Sequence, residues 1–263
     1  MAIDKFRFRF RKSGDLRFLS HHDLMRAVER LLRRAAIPFH STSGFNPRPR
    51  VVFPLSLPLG VVGWREVMEL ELTEPLDPES TLGSLQKFAP LGLAFLAVRR
   101  IPPNLTGQVV EAEYRLPIPP TLRTQVSNRL EEILRSPTLL VERTQPQPRT
   151  VDIRPYILEL RVGPHSPSRE ALTEELYLVM NLRVTPTGSA RAQEIIRSLG
   201  VADLLETGAI LERTNLVLLD ELPNPGQARG IGTRSIENAA THGLPAEWPI
   251  PDVAAGRFTK DAP

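Results

Sequence analysis

Residues 5–11, KFRFRFR, alternate without a break, with Phe6, Phe8 and Phe10 on one side and Arg7, Arg9 and Arg11 on the other. Successive side chains of an extended chain point to opposite faces, so a period of two predicts a half-buried β-strand. Three phenylalanines on one face need a second layer to cover them, and the next segment supplies it. Ser20 and Asp23 have the S-x-x-D spacing of a capping box, in which the serine oxygen takes a free N–H of the first helical turn. Leu24, Val28, Leu31, Leu32 and Ala35 then recur at helical spacing, and Pro38 ends the helix.

The following elements complete a pattern. RVVFPLSLPLG (50–60) reads as a strand with Val51, Phe53, Leu55 and Leu57 on one face. Pro54 and Pro58 on the alternate positions place it at a sheet edge, where a missing donor is tolerated. REVMELELT (65–73) is a strand with Met68, Leu70 and Leu72 inward, DPESTLGSLQKFA (77–89) a helix, and LGLAFLAVRR (91–100) a strand. The order β-α-β-β-α-β is the ferredoxin-like plan. It recurs downstream with one extra strand, the strands at 109–118, 138–144, 150–162, 175–185 and 209–220 and the helices at 121–135 and 189–200. The expected fold class is therefore α+β: two ferredoxin-like units in tandem, 1–108 and 109–222, each with its own sheet. The segment 223–263 lacks periodicity and reads as a flexible C-terminal tail.

Composition narrows the function. The absence of cysteine excludes disulfides, thiolate metal sites and a cysteine-held iron–sulfur cluster. No apolar run reaches the roughly 18 residues of a membrane span, and nothing near residue 1 resembles a signal peptide, so a cytoplasmic location is expected. The 26 prolines, about twice the usual ~5% share, punctuate short elements. Net charge is only +3, but residues 1–50 carry 12 Lys/Arg against 4 Asp/Glu, a net +8, while the remainder stands at −5. Such asymmetry points to a local surface facing a polyanion.

Arg26, Arg30 and Arg33 lie at i, i+4 and i+7 on the helix, opposite the buried stripe and flanked by Arg34. A solvated helix face would look the same, but only Glu29 stands among them as an acid. Arg17, Arg48 and Arg50 extend the cluster toward several phosphate contacts. In SGFNPRPR (43–50), Gly44 and Asn46 build a turn, and Phe45 is an aromatic placed to stack on a base. The strand arginines are not a recognition sheet. Their cross-strand neighbours Glu69 and Glu71 would neutralise that face, and no aromatic points outward. His21 and His22 point about 100° apart on a helix, so a shared metal is not expected. His21 alone suits general acid–base chemistry, but packing or hydrogen bonding of the helix start accounts for it more simply. A second loop, TPTGSAR (185–191), sets Gly188, Ser189 and Arg191 before a helix, where an anion could meet free N–H groups; capping by Ser189 would account for the same residues.

The stretch GDLRFLSHHDLMRAVERLLRRAAIPFHSTSGFNPRPR (14–50), followed by PLG at 58–60, resembles a family of radical-SAM-linked proteins of unknown function. Members occur as separate chains beside a radical SAM protein or fused to one. The resemblance is close over about the first 60 residues and continues through DIRPYILEL (152–160), TGSAR (187–191) and LERTNL (211–216); the chain departs from the pattern at His22. It implies a radical SAM protein as partner and, through the genes such members neighbour, an RNA or ribosome-associated setting. With no cysteine, any radical chemistry belongs to that partner. The sequence thus reads as a non-catalytic RNA- or polyanion-binding accessory protein that needs no cofactor. Two alternatives stay open: a metal-independent endoribonuclease using His21, and a pure protein-interaction module.

Overall fold

A computed structural model describes residues 4–164 and 175–222. In chain order the elements of the first half are β1 (Asp4–Lys12), α1 (His21–Arg34), β2 (Val51–Val52), β3 (Val62–Leu72), α2 (Pro78–Phe88) and β4 (Leu93–Arg100). The second half comprises β5 (Val109–Pro117), α3 (Arg123–Arg135), β6 (Leu140–Arg143), β7 (Arg149–Asp152), β8 (Ile157–Gly163), β9 (Tyr177–Thr185), β10 (Gly188–Ser189), α4 (Ala192–Ser198), α5 (Asp203–Glu206) and β11 (Glu212–Leu218). The fold is α+β, with one large mixed sheet and several helices. No helix among the described residues is long and apolar enough to cross a membrane.

The alternation of residues 5–11 does what its period demands. Phe6, Phe8 and Phe10 are buried beneath Leu24, Val28, Leu31 and Leu32 of α1 and Leu82 and Leu85 of α2. Phe8 meets Phe95 of β4 edge-on at 5.8 Å. Each such burial stabilises by about 1.5–3 kcal/mol, so this strand anchors the first half. β1 lies between β3 and β4, with Phe6 opposite Leu70 and Phe8 opposite Met68. In the second half β5 lies between β11 and β9, and β8 adds beyond β9. Val126, Leu130 and Ile133 of α3 and Ile195 and Ile196 of α4 belong to that half's core.

Four expectations need correction. The two halves do not form separate sheets: β11 runs parallel to β3, pairing Glu212 with Val62 and Arg213 with Gly63, and one sheet of nine strands results among the described residues. The strand expected at 50–60 shrinks to Val51–Val52. Val51 and Phe53 pack on the first core, whereas Leu55 and Leu57 pack on the second. This segment crosses between cores, and its prolines, which cannot donate to a ladder, mark the crossing. The strand expected at 150–162 is broken by a 3₁₀ turn at Arg154–Tyr156, so that β6 and β7 form a separate hairpin. The helix expected at 189–200 begins at Ala192.

The arginine face of β1 is also covered. Arg7 and Arg9 are buried along with Lys5, Lys12, Glu66, Glu69 and Arg213. The expected cross-strand pair forms, with Arg7 Nε donating to Glu69 Oε1 at 2.9 Å. A 3₁₀ turn at Leu219–Glu221 then brings two further carboxylates: Asp220 accepts from Arg7 at 2.7 Å and from Arg99 at 3.1 Å, and Glu221 pairs with Arg9 and Arg99. The tail expected over 223–263 lies outside the described residues.

Candidate functional site

The first helix forms as its sequence dictates. Asp23 N donates to Ser20 Oγ at 3.2 Å, and Ser20 Oγ donates to Asp23 Oδ2 at 2.7 Å. With the apolar stripe fixed inward, Arg26, Arg30, Arg33 and Arg34 are left exposed on the outer face. Their pairing is thin. Arg33 meets Glu29 at 3.0 Å, Arg26 meets Asp23 at 3.6 Å, and Arg34 donates to the Phe88 carbonyl. Arg30 and Arg48 make no ion pair among the described residues. Exposed pairs of this kind are worth little, so these guanidinium groups are only loosely held.

The loop between α1 and β2 stands beside this face. Its stem closes through Thr42 N donating to the Arg48 carbonyl (2.8 Å) and Arg48 N donating to Thr42 Oγ1 (3.1 Å). Gly44, at φ +129°, turns the tip, and Phe45 projects fully into solvent beside the exposed Asn46. The base lies against α1, because Arg48 and Pro49 share a shallow hollow with Met25, Arg26 and Glu29. Arg50 is tied to Glu71 at 3.3 Å. The structure thus brings Arg26 and Arg48 together and sets Arg17 apart. Arg17 stacks over Phe18 at 4.2 Å and lines another hollow with Leu59 and Gly60.

His21 lies at the exposed first turn of α1, its Nδ1 3.5 Å from Ser56 Oγ and its ring edge-on to Phe53 at 5.7 Å. His22 is its ring neighbour at 5.9 Å. No group of three or more His, Asp or Glu that could hold a metal occurs among the described residues. Beneath His21 a small hollow holds Lys12 and Glu66, neither of which stood out in the sequence. Lys12 Nζ donates to the Leu19 carbonyl at 2.9 Å. Burial pulls its pKa below the usual lysine value; Glu66 opposes that shift and Arg213 adds to it.

At 185–191 the expected anion loop is already occupied. Gly188 and Ser189 pair with Thr185 and Val184 of β9, and the helix starts from Arg191 as its N-cap, not from Ser189. The Ser189 carbonyl accepts from Arg143 Nη2 at 2.7 Å, and Arg191 N donates to Glu194 Oε2 at 2.9 Å. The buried Glu194 is the anion at this turn, held also by Arg143 Nε (2.8 Å) and Nη2 (2.9 Å). Burial alone would raise its pKa, but the bonds from Arg143 and from Arg191 N hold it below the ordinary carboxylate value. Of the three candidates there, only the Arg191 side chain remains largely exposed.

The seam between halves carries a buried ion pair that local pattern did not announce. Arg213 Nε donates to Glu66 Oε1 at 2.9 Å, and Nη2 pairs with Oε2. The remaining donors reach the Leu55 carbonyl (2.9 Å) and the Ser56 carbonyl (3.2 Å), fixing the crossing segment. Burial would lower the arginine's pKa, yet Glu66 holds it above the ordinary value. Gly63 makes room for this pair, since a Cβ there would lie 2.5 Å from Glu66 Cγ. Beside the pair opens a cleft of about 340 Å³, walled by the crossing segment, β5, β9 and the start of α4.

The chain matches, over residues 5–192, the model of a family described as "Uncharacterized protein conserved in bacteria (DUF2344)". No curated protein matches it. Among solved structures, an unknown protein from Galdieria sulphuraria is 15% identical, with 82% of this chain and 98% of that chain covered and a TM-score of 0.23. A candidate glycine cleavage system transcriptional repressor is 8% identical, with the same coverages and a TM-score of 0.20. Superpositions this poor carry no argument about fold or activity.

Proposed function

The chain belongs to this family of uncharacterized proteins conserved in bacteria, and from that premise we propose that it is a non-catalytic accessory protein that grips RNA or another polyanion. The observation that carries the reading is the outer face of α1 with its neighbouring loop. Arg26, Arg30, Arg33, Arg34, Arg48 and Arg50 are exposed there, and the carboxylates that pair with them are Asp23, Glu29 and Glu71. Phe45, fully exposed at the loop tip, adds a flat apolar surface on which a base can stack. Cations without tight partners can exchange their counterions for phosphates, which is the main source of affinity for nucleic acid.

We read each half as a ferredoxin-like unit, the tandem lying in a cytoplasmic protein. The motif of residues 14–60 supports a separate radical SAM enzyme as partner, and the absence of cysteine assigns any iron–sulfur cluster to that partner. A metal-independent endoribonuclease is the second reading, favoured by the approach of His21 Nδ1 to Ser56 Oγ at 3.5 Å. Anisotropy titrations of the isolated chain with a short labelled single-stranded RNA test both. The accessory reading expects log K to fall with log salt by about 0.7 per phosphate contact and the RNA to stay intact. Absence of salt-dependent binding overturns it, and cleavage that disappears in His21→Ala promotes the second reading.

A further inference from the structure

The cleft at the seam is a second place where a ligand can sit, and none of the α1 arginines lines it. Its volume, about 340 Å³, lies within the roughly 300–1,000 Å³ of small-molecule sites. Much of the wall is aliphatic, from Val61, Leu182, Val184 and Leu211, and three polar residues matter. Arg213 is spent, because Glu66 and the carbonyls of Leu55 and Ser56 take its donors. Its Nη1 still reaches the Tyr114 oxygen at 3.5 Å, so that oxygen serves as acceptor. The phenolic proton of Tyr114 then has no acceptor among the described residues, although the residue is only 8% exposed. Buried tyrosine hydroxyls ordinarily find a partner. At the rim stands Arg191, its side chain 61% exposed and 4.0 Å from Glu194, a carboxylate already held twice by Arg143.

A buried donor, a loosely paired and largely exposed cation at the mouth and an aliphatic wall between them define a ligand chemistry. We propose that this cleft binds a small organic carboxylate with an apolar body and a second oxygen. The carboxylate pairs with Arg191, the second oxygen accepts from Tyr114, and the body packs on Leu182, Val184 and Leu211. The site is separate from the polyanion surface, so failure of one reading leaves the other standing.

Three probes separate the contributions by calorimetry on the full chain: 4-oxo-4-phenylbutanoate, 4-phenylbutanoate, which lacks the ketone, and 4-oxo-4-phenylbutanamide, which lacks the charge. The keto acid is expected to bind tightest. Tyr114→Phe keeps the ring and removes the donor. It should weaken the keto acid about three- to tenfold, the effect of one hydrogen bond, and leave 4-phenylbutanoate unchanged. Arg191→Glu should abolish the preference for the acid over the amide. Saturable binding of none of the probes would show a cleft filled by water only and overturn the proposal. Equal losses for all three in Tyr114→Phe would overturn the assigned donor. Should that variant fail to fold, the order of the three probes on the native chain still decides, since equal affinities contradict the site.

Discussion

Arginine does two opposite things in this protein. On the outer face of α1 the guanidinium groups are exposed and, among the described residues, either without an ion pair or held in single solvent-facing pairs. Inside, Arg7, Arg9, Arg143 and Arg213 are buried against Glu69, Asp220, Glu221, Glu194 and Glu66. The comparison changes the meaning of the +8 carried by residues 1–50. Lys5, Arg7, Arg9 and Lys12, four of the 12 basic residues in that segment, are buried. Carboxylates that face these four lie outside it, at Glu66, Glu69, Asp220 and Glu221. Part of the asymmetry is therefore the two ends of long-range ion pairs. Only the exposed α1 and loop arginines are left to carry the proposed polyanion contact.

The sharpest way to break the inner set is to remove one member of the seam pair. Glu66→Ala leaves Arg213 buried without its carboxylate, and loss of one partner of a buried pair costs about 3–5 kcal/mol. Urea denaturation should show that loss; a cost below about 1 kcal/mol would mean that Arg213 is solvated and the seam is loose. Glu221→Ala should cost less. It removes charge-assisted bonds from Arg7, Arg9 and Arg99, but Asp220 still faces Arg7 and Arg99 and the carbonyls of Leu216 and Arg65 still accept from Arg9. About 1.5–3 kcal/mol is expected for bonds to charged groups, read from the same midpoints.

Glu194, another anion of the inner set, makes stability depend on pH. Its carboxyl is held below the ordinary glutamate value of 4.5 by Arg143 and Arg191 N, against the opposing effect of burial. A folded-state pKa below the unfolded one contributes stability that is fully present above about pH 4.5 and is lost as pH falls through the folded value. Glu194→Gln should therefore be less stable than the native chain at pH 7, and the gap should narrow below about pH 4.5. A gap that stays constant down to about pH 3 would deny the coupling between Arg143 and the carboxylate.

The elements with strong local periodicity were legible in the order of residues. The Phe/Arg alternation specified β1, and Ser20–Asp23 with the leucine stripe specified α1. What escaped was decided by distant residues. The seam rests on two pairs, Glu212–Val62 and Arg213–Gly63, and no local pattern encodes a parallel contact between segments so far apart in the chain. Alternation assigned Arg7 and Arg9 to one face but could not say that Leu219–Glu221 would cover it. Pro54 and Pro58 read as an edge strand because proline signals only a missing donor, not the passage from one core to another. At α4 a signal was present. Glu194 stands three residues after Arg191, the spacing at which a glutamate reaches back to the helix start, and it identifies the resident anion better than Gly188 or Ser189 did.

The smallest effect on stability should come from the outer set, and that is what makes it diagnostic. Arg26→Glu, Arg30→Glu and Arg48→Glu together leave Leu24, Val28, Leu31 and Leu32 untouched beneath the helix. The cost to folding comes from new like-charge neighbours on α1, where Asp23 and Glu29 each lie three residues from position 26 and positions 26 and 30 lie four apart; such pairs cost about 0.2–0.5 kcal/mol each. A total of about 1 kcal/mol or less is expected, well below the Glu66→Ala loss. Affinity for RNA should respond in the opposite proportion. Each lost phosphate contact removes about 0.7 from the slope of log K against log salt, so the triple variant should bind weakly and with little salt dependence. Arg33→Glu, already paired with Glu29 at 3.0 Å, should reduce the slope less than Arg30→Glu, which breaks no pair among the described residues. Equal slopes for these two single variants would show that pairing on this face does not govern its availability, and the contrast between inner and outer arginines would reduce to burial alone.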